Sequence, residues 1–263
     1  MNSQPDLRKH RLQVRQAFGR AAHTYDGAAE VQREICESLI ELSREFAPRQ
    51  PIKRLLDAGS GTGFALPALK RNHRPAQLIA IDFAPAMLHH TPAEAHRLCA
   101  DIEAMPLPNG CVDAIFSSLA LQWCQPHAAL QSFARVLKKE GKCWLATLGP
   151  DTLHELRRSF SYIGSDERVM HFESGNTWRS AASEAGLNVH SLQRRAYHVR
   201  ANDLRGIIRH IKSIGAHRPD TTRRPPITRH QWRQLEQHYE AFRHDDGTLR
   251  ATYDVFLMVL SHP

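Results

Sequence analysis

A short glycine-rich stretch and the acidic residue that follows it have the clearest chemical meaning in this sequence. Asp57 precedes Gly59, Gly61 and Gly63, and Asp82 stands 23 residues after the first of these glycines. Glycines let the backbone turn sharply and approach a ligand closely. A carboxylate at the end of the next strand can accept the two hydroxyls of a ribose. The stretch therefore predicts a turn that binds a nucleoside.

The spacing of the glycines indicates which kind of nucleoside is bound. A dinucleotide-binding turn has glycines at i, i+2 and i+5, so that the backbone can approach a pyrophosphate. Here the third glycine falls at i+4, and the bulky Phe64 occupies i+5. Asp57, beside the turn, would also repel a diphosphate. The pattern favours a ligand with a ribose and no diphosphate; an ordinary strand-to-helix turn with incidental glycines is the alternative.

The order of the predicted elements explains how such a turn is held. Apolar runs bounded by turn residues predict seven strands, over about 53–57, 78–82, 97–100, 112–117, 143–148, 188–199 and 252–260. Strands that alternate with helices indicate a parallel sheet with helices on both faces. We therefore predict an α/β fold with a doubly wound, mostly parallel seven-stranded sheet, Rossmann-like, and with helical lid additions.

The additions are segments with no place in the sheet. We expect one domain over 1–263, with its ligand-binding core at 51–150 and its final strand at 246–263. Around them we expect an N-terminal helical cap and two lid insertions, at 1–50, 151–175 and 203–245. Within the second insertion, Thr228 followed by Gln231 predicts a capping box at the start of a helix.

The positive charge of the chain is concentrated in one segment. The net charge is +8, and the stretch 193–233 holds eleven Lys and Arg against two Asp, 11 − 2 = +9. The rest of the chain therefore sums to about −1. Such a block indicates an acidic partner, which could be a nucleic acid, a membrane surface or an acidic protein. A surface that only keeps the protein dissolved is the alternative.

The overall composition restricts the classes of protein to which the chain could belong. No run of about 18 apolar residues is present and the first twenty residues are polar, so we expect no transmembrane helix and no secretory signal. The five cysteines are odd in number and form no C-x-x-C pair, which favours reduced thiols in a cytoplasmic protein. The histidines show no metal-ligand spacing, so no metal is expected.

The glycine turn, the absence of any provision for phosphate and the ribose acid together resemble the class I S-adenosylmethionine-dependent methyltransferases. This resemblance implies S-adenosyl-L-methionine as the cofactor and S-adenosyl-L-homocysteine as its product. It implies that Asp57 and the three glycines surround the methionine part, with backbone N–H groups at the start of the following helix facing its carboxylate. It also implies that Asp82 holds the ribose.

The same resemblance implies further contacts to the cofactor. Asp101 and Ile102 would clamp the adenine, through a carboxylate for its amine and an apolar side chain on its ring. Met87 would pack near the adenine, although a methionine in the core of a helix is an equal alternative. Ser118, Leu119 and Trp123, after the fourth predicted strand, complete the set of expected cofactor contacts.

The end of the fourth predicted strand carries no catalytic motif for nucleic-acid bases. It lacks the Asn/Asp-Pro-Pro-aromatic motif of adenine N-methylating enzymes and the Pro-Cys nucleophile of cytosine C5 enzymes. It also offers no obvious general base. We therefore expect the nucleophile of the substrate to arrive already ionised or otherwise able to react without a base.

Longer stretches narrow the resemblance to one family. They lie at 18–26 with Gln32, and at 101–108, 119–124, 147–157, 214–216 and 251–253. Together these stretches resemble the malonyl-acyl-carrier-protein O-methyltransferases of biotin synthesis. The resemblance implies methyl transfer to the free carboxylate of a malonyl thioester, with acyl carrier protein as the partner. Methyl transfer to RNA or to another small carboxylate, and a non-catalytic cofactor-binding regulator, are the alternatives.

Two residues are predicted to position the substrate. On the helix that begins near Thr152, Arg157 lies roughly 65° from the apolar stripe and Arg158 roughly 165° away. We therefore expect Arg157 to reach the covered side and to clamp a carboxylate, with a surface salt bridge as the alternative. Tyr25 is the candidate for a group that covers the methyl donor, with a helix-packing tyrosine as the alternative.

A helix in the basic block is predicted to dock the partner. Acyl carrier proteins are strongly acidic, and Arg205, Arg209 and Lys212 fall on one face of a predicted helix. We expect these three side chains to bind the carrier. The RNA alternative would use the same charges on phosphates, but the block lacks interleaved aromatic residues.

Overall fold

The protein is represented by a computed structural model that describes residues 15, 16, 19, 30–213 and 225–263. The chain divides into two compact units. The larger unit contains Glu30–Pro150, Phe172–Arg195 and Val255–Pro263, and the smaller unit contains Asp151–His171 and Ala196–Asp254. The segments predicted as insertions, 151–175 and 203–245, fall mostly in the smaller unit.

A seven-stranded mixed sheet is the main feature of the described fold. In chain order its strands are β1 (Arg54–Ala58), β2 (Gln77–Asp82), β3 (His96–Cys99), β4 (Val112–Ser118), β5 (Leu137–Leu148), β6 (Asn188–Ala201) and β7 (Leu249–Ser261). Their order across the sheet is β3-β2-β1-β4-β5-β7-β6. Strands β1 to β5 pair in parallel, whereas β7 runs antiparallel to β5. The prediction of an α/β, mostly parallel seven-stranded sheet is confirmed.

Helices connect and flank these strands. In chain order they are α1 (Glu30–Glu45), α2 (Leu66–His73), α3 (Pro85–Leu88), α4 (Pro126–Val136), α5 (His154–Ser161), α6 (Gly175–Glu184), α7 (Leu204–Ser213) and α8 (Arg229–Tyr239). The predicted capping box of α8 is present, because Thr228 and Gln231 each accept a backbone N–H of the other. None of the described helices is long and apolar enough to cross a membrane.

The core of the larger unit lies on the central strands and on the helices packed against them. Strands β4 and β5 are buried along most of their length, and α4 buries Leu130 and Phe133 completely. Each such side chain stabilises the fold by about 1.5–3 kcal/mol relative to an exposed one. On α1, an apolar stripe buries Val31, Ile35 and Leu39. This packing holds the sheet and the carboxyl ends of its strands in place.

The carboxyl ends of the parallel strands bring the predicted site residues to one edge. Asp57 on β1 is in register with Ala80 of β2 and Phe116 of β4. Asp82 and Ser118 are the last residues of β2 and β4. Ligands of open α/β sheets bind beyond this edge.

One predicted boundary is wrong. The fifth strand was predicted over 143–148, but β5 already begins at Leu137 and includes the stretch 139–142. The pairing of β4 with β5 shifts register between Val112 and Ala114, and Glu140 has a φ of 62°. The stretch is therefore an irregularity inside a longer strand, and local sequence does not distinguish such a bulge from a turn.

Candidate cofactor and substrate sites

Hydrogen bonds fix the glycine turn to the end of the neighbouring strand. The N–H groups of Gly59 and Ser60 donate to the carbonyl of Ile81, at 2.7 and 2.9 Å. The N–H of Gly61 donates to Oδ2 of Asp82 at 3.0 Å. The predicted turn and the predicted ribose acid are therefore joined directly.

The turn uses its own backbone N–H groups to hold its shape. Those of Gly59, Ser60 and Gly61 donate to the end of β2, and that of Gly63 donates to the carbonyl of Ser60 at 2.9 Å. A contact between the N–H groups at the start of the following helix and the carboxylate of the methionine part stays a prediction.

Gly59 is required by its surroundings as well as by its backbone angle. Its φ is +76°, and a Cβ there would lie 2.2 Å from Cβ of Ala120 and 3.3 Å from Cδ1 of Ile102. At Gly61, with a φ of +55°, an added Cβ would meet no described atom within 4 Å. The turn therefore packs tightly on one side and opens into space on the other.

The two acids at this edge are buried in different ways. Asp82 accepts N–H bonds from Gly61 and from Ala84, the latter at 2.8 Å to Oδ1, and these bonds oppose the rise in its pKa that burial causes. Oδ2 of Asp57 is buried and has no hydrogen-bond partner among the described residues. Burial, followed by the charge of Asp82, raises the pKa of Asp57 to about 8. Within the described residues, Oδ2 of Asp57 therefore lacks a hydrogen-bond donor.

The predicted adenine contacts occupy the loop after β3. Asp101 caps a short 3₁₀ helix at Ile102–Ala104, and its Oδ1 accepts the N–H of Glu103 at 2.9 Å. Ile102 is 7% exposed and lies against the position where Gly59 would carry a Cβ. Met87 is 1% exposed, so its side chain belongs to the core. A contact of Met87 with adenine stays a prediction.

The end of β4 contains a backbone outlier. Leu119 follows Ser118 with a φ of 54°, and its N–H donates to the carbonyl of Ala146 on β5 at 2.9 Å. A positive φ at a non-glycine residue is strained, and such residues cluster at ligand sites. Ser118 and Trp123 are half-buried on either side of it. The strained residue, Leu119, is thus itself a predicted cofactor contact, and the other two, Ser118 and Trp123, are close to it in the chain.

This edge fits a nucleoside that carries an ammonium group. Asp82, the acid predicted to bind the ribose, is present, and the turn has open space beside Gly61. A buried carboxylate oxygen of Asp57 has no hydrogen-bond donor among the described residues. These hydrogen-bond acceptors fit the ribose hydroxyls and the ammonium group of S-adenosylmethionine.

The smaller unit fixes the start of helix α5 to strand β7. The hydroxyl of Thr152 donates to the carbonyl of Asp254 at 3.0 Å, and the N–H of Leu153 donates to the carbonyl of Thr252 at 2.7 Å. The carboxylate of Glu155, 4% exposed, accepts both the hydroxyl and the N–H of Thr252. Sequence analysis missed Glu155, because its partner lies 97 residues away in the chain.

Arg157 lies on this anchored helix. It is half-buried whereas Arg158 is exposed, as the helical spacing predicts. Its Nη2 donates to the carbonyls of Thr152 and Met170, at 3.3 and 2.8 Å. Burial lowers the pKa of Arg157, and the charges of Asp151 and Asp166 oppose this change. The guanidinium is thus held in one place, while its role as a clamp stays a prediction.

The three predicted docking residues lie exposed on helix α7. Nε of Arg205 lies 3.7 Å from Oε1 of Glu236, and the guanidinium carbon of Arg205 lies 5.6 Å from the ring centre of Trp232. Arg209 and Lys212 form no ion pair with a described residue. Tyr25 and the stretches 18–26 and 214–216 lie outside the described residues, apart from Gly19.

Comparisons with known proteins agree with this fold. A family model described as a methyltransferase domain matches residues 56–145. The structure of the YcgJ protein from Bacillus subtilis superimposes with a TM-score of 0.60 at 16% identity, over 86% of this chain and 98% of that one. Fold and site together define a methyltransferase of the class I fold.

Curated relatives narrow the class. The chain is 38% identical to the malonyl-[acyl-carrier protein] O-methyltransferase of Laribacter hongkongensis, over 92% of this chain and 86% of that protein. It is 35% identical to the biotin biosynthesis bifunctional protein BioHC of Cellvibrio japonicus, over 95% of this chain and 50% of that protein. The chain belongs to the malonyl-[acyl-carrier protein] O-methyltransferase family.

Proposed function

We propose that this protein transfers a methyl group from S-adenosyl-L-methionine to the free carboxylate of a malonyl group on acyl carrier protein, in biotin biosynthesis. The observation that carries this proposal is the match to relatives of this name over nearly the whole chain. The ribose acid and the unpartnered carboxylate oxygen at the sheet edge support the cofactor.

The reaction requires no proton transfer by the protein. When bound, S-adenosylmethionine supplies an electrophilic methyl group on a positively charged sulfur. The malonyl carboxylate, ionised at neutral pH like an ordinary carboxyl group, uses an oxygen lone pair to bond the methyl carbon as the carbon–sulfur bond breaks. The products are a methyl ester and S-adenosylhomocysteine. No proton moves, so the absence of a recognised general base in the sequence is no obstacle.

The residues of the chain act mainly by holding and orienting. Asp82 would hold the ribose and Asp57 the methionine end of the cofactor, and the tight packing at Gly59 keeps the turn in place. Well-oriented reactants can gain about 7–11 kcal/mol of the barrier. Orientation at the edge of the rigid sheet is therefore the main contribution that we assign to the larger unit.

Arg157 is the residue that we propose for the malonyl carboxylate. A guanidinium presents five N–H donors in a planar fork that matches a carboxylate. Its half-burial strengthens its attraction for an anion relative to a fully solvated side chain. A single arginine also avoids pairing the carboxylate so tightly that the ground state is stabilised and the reaction slowed.

The exposed cations of α7 are the surface that we propose for the carrier. Arg209 and Lys212 have no carboxylate partner in the described part of the chain, and Arg205 is held beside Glu236. An acidic carrier would be attracted to this face before it docks.

The experiment that tests the proposed function compares acceptors. Transfer of radiolabelled methyl from S-adenosylmethionine is followed with malonyl carrier protein, malonyl-coenzyme A and bulk RNA. We expect labelled ester on the malonyl thioesters and none on RNA. Label on RNA alone would favour the alternative enzyme, and cofactor binding without any transfer would favour a regulator.

A further inference from the structure

Helix α1 holds a buried amide that no described residue satisfies. Gln32 is 9% exposed, and its Oε1 is buried without a hydrogen-bond partner among the residues that the structure describes. Leaving a buried acceptor unsatisfied is costly, so native proteins usually satisfy such groups or reserve them for a ligand. Oε1 of Gln32 therefore needs a hydrogen-bond donor that none of the described residues provides.

The first turn of α1, which carries Gln32, lies beside the glycine turn. The guanidinium carbon of Arg33, the next residue, lies 5.4 Å from the ring centre of Phe64, which directly follows Gly63. Cys36, four residues after Gln32 and so on the same face of the helix, is buried, and burial followed by the charge of Asp57 raises the pKa of its thiol. The contact of Arg33 and the effect of Asp57 on Cys36 place this turn of α1 near residues assigned to the cofactor.

A second acceptor in the same region has the same need. Oδ2 of Asp57, a residue that is 2% exposed, is also buried without a described partner. Two unsatisfied acceptors, one of them a carboxylate, call for a group with several N–H donors and a positive charge. A primary ammonium, with three N–H donors on one nitrogen, meets this requirement.

We infer that Gln32 is a cofactor-positioning residue whose Oε1, together with Oδ2 of Asp57, accepts hydrogen bonds from the α-ammonium group of the bound methyl donor. This inference rests on the proposed use of S-adenosylmethionine. It gives α1 a function: the helix supplies one acceptor, strand β1 supplies the other, and the amino-acid end of the donor is held between them. Fixing that end restricts the position of the sulfur and of its methyl group.

The test is a double-mutant cycle between residue and ligand, read by calorimetry. The ligands are S-adenosylhomocysteine and its deaminated analogue, in which hydrogen replaces the amino group. The variants are Gln32→Met, which keeps the size and removes the acceptor, and Gln32→Glu, which keeps an acceptor. A hydrogen bond to a charged group predicts at least about tenfold weaker binding of S-adenosylhomocysteine by Gln32→Met.

The deaminated analogue separates a contact from a structural effect. We expect it to bind the wild type and Gln32→Met with equal affinity, and we expect Gln32→Glu to keep the preference for the amino-bearing ligand. Equal weakening of both ligands by Gln32→Met would mean that Gln32 only supports the fold, and no weakening of either would mean that water satisfies the amide. Either result overturns the inference.

The proposed function is judged separately. Methyl transfer by the wild type to malonyl carrier protein is measured on the same preparation. Transfer with an unchanged amine preference in Gln32→Met overturns only the role of Gln32. Tight, amine-dependent binding of S-adenosylhomocysteine without any transfer overturns only the proposed reaction.

Discussion

Asp57 is the residue whose state depends most on the ligand. Its pKa is about 8 because its carboxyl group is buried and faces the charge of Asp82. At neutral pH the ligand-free protein therefore holds a proton there that an unfolded chain would have lost. This linkage makes the free energy of unfolding fall as pH rises from about 4 to 8. An ammonium group placed beside the carboxylate reverses its preference and favours the ionised form.

Cofactor affinity should therefore depend on pH. Binding should release a proton from Asp57, so that affinity for S-adenosylhomocysteine rises by up to about tenfold per pH unit between about pH 6 and 7.5. This range stays below that in which an α-amino group loses its own proton, about 7.7–8.0. Calorimetry in buffers of different ionisation enthalpy measures the affinity and the proton release together.

Asp57→Asn is the control for this linkage. Asp82 has a raised pKa and also faces the cofactor edge, and Cys36 lies near Asp57 with a pKa raised by burial. The variant removes only the contribution of Asp57, so the pH slope should become markedly shallower. An unchanged slope in Asp57→Asn would assign the proton to one of the other groups.

Arg157 and Arg158 form a matched pair for the substrate clamp. One is half-buried on α5 and the other is exposed beside it. Arg157→Met should lower kcat/KM for malonyl carrier protein by about tenfold or more, the cost of a charge-assisted hydrogen bond. Arg158→Met should change it little, and both variants should bind S-adenosylhomocysteine as the wild type does. Equal effects of the two substitutions on kcat/KM would contradict the proposed role of Arg157 in binding the malonyl carboxylate.

At the scale of the elements, α5 depends on one strand for its position. Its N-cap residue, Leu153, has an unfavourable φ of 55° and provides no side-chain hydrogen bond to the first turn. Contacts from Thr152 and Glu155 to the stretch 252–254 of β7 compensate for this weak start. The position of Arg157 therefore depends on β7.

Thr252 is the residue with which to test this dependence. Thr252→Val removes a buried hydroxyl that donates to the Glu155 carboxylate, and should reduce the free energy of unfolding by about 1.5–3 kcal/mol. Thr248→Val removes a hydroxyl that donates to Asp246 at the surface and should cost less than about 1 kcal/mol. Urea denaturation followed by circular dichroism measures both. Similar losses for the two variants would contradict a special role for the buried contact.

Elements with a strong local pattern were predictable from the sequence, whereas irregular ones were not. The glycine turn, the strand carrying Asp82 and the capping box of α8 follow from short motifs, and the structure has each of them. The irregular start of β5 depends on pairing with β4, which no local pattern encodes. The contact of Glu155 with Thr252 is likewise long-range. Local chemistry was predictable, and tertiary pairing was not.

At the scale of the whole molecule, the charge distribution matters most. The +9 of the stretch 193–233 exceeds the net charge of +8 of the entire chain, so the remainder is nearly neutral. A nearly neutral body with one cationic region attracts acidic partners to that region. Family membership makes acyl carrier protein the partner that we propose.

Charge reversal on α7 should affect the carrier alone. Arg209→Glu combined with Lys212→Glu should raise the KM for malonyl carrier protein several-fold at low salt, since each surface charge pair contributes about 0.2–1 kcal/mol. The effect should shrink as salt screens the charges, while KM for malonyl-coenzyme A changes much less. Lys139→Glu, at an exposed site on β5, is the control. An equal rise in that control would mean that net charge, rather than this face, attracts the carrier.

Intact-mass spectrometry of malonyl carrier protein after incubation with the enzyme and S-adenosylmethionine tests the central claim most directly. The account predicts that the carrier gains the mass of one methylene group. With acetyl carrier protein, which has no free carboxylate, the mass should not change. An unmodified malonyl carrier protein, observed with an enzyme that binds S-adenosylhomocysteine, would contradict the account.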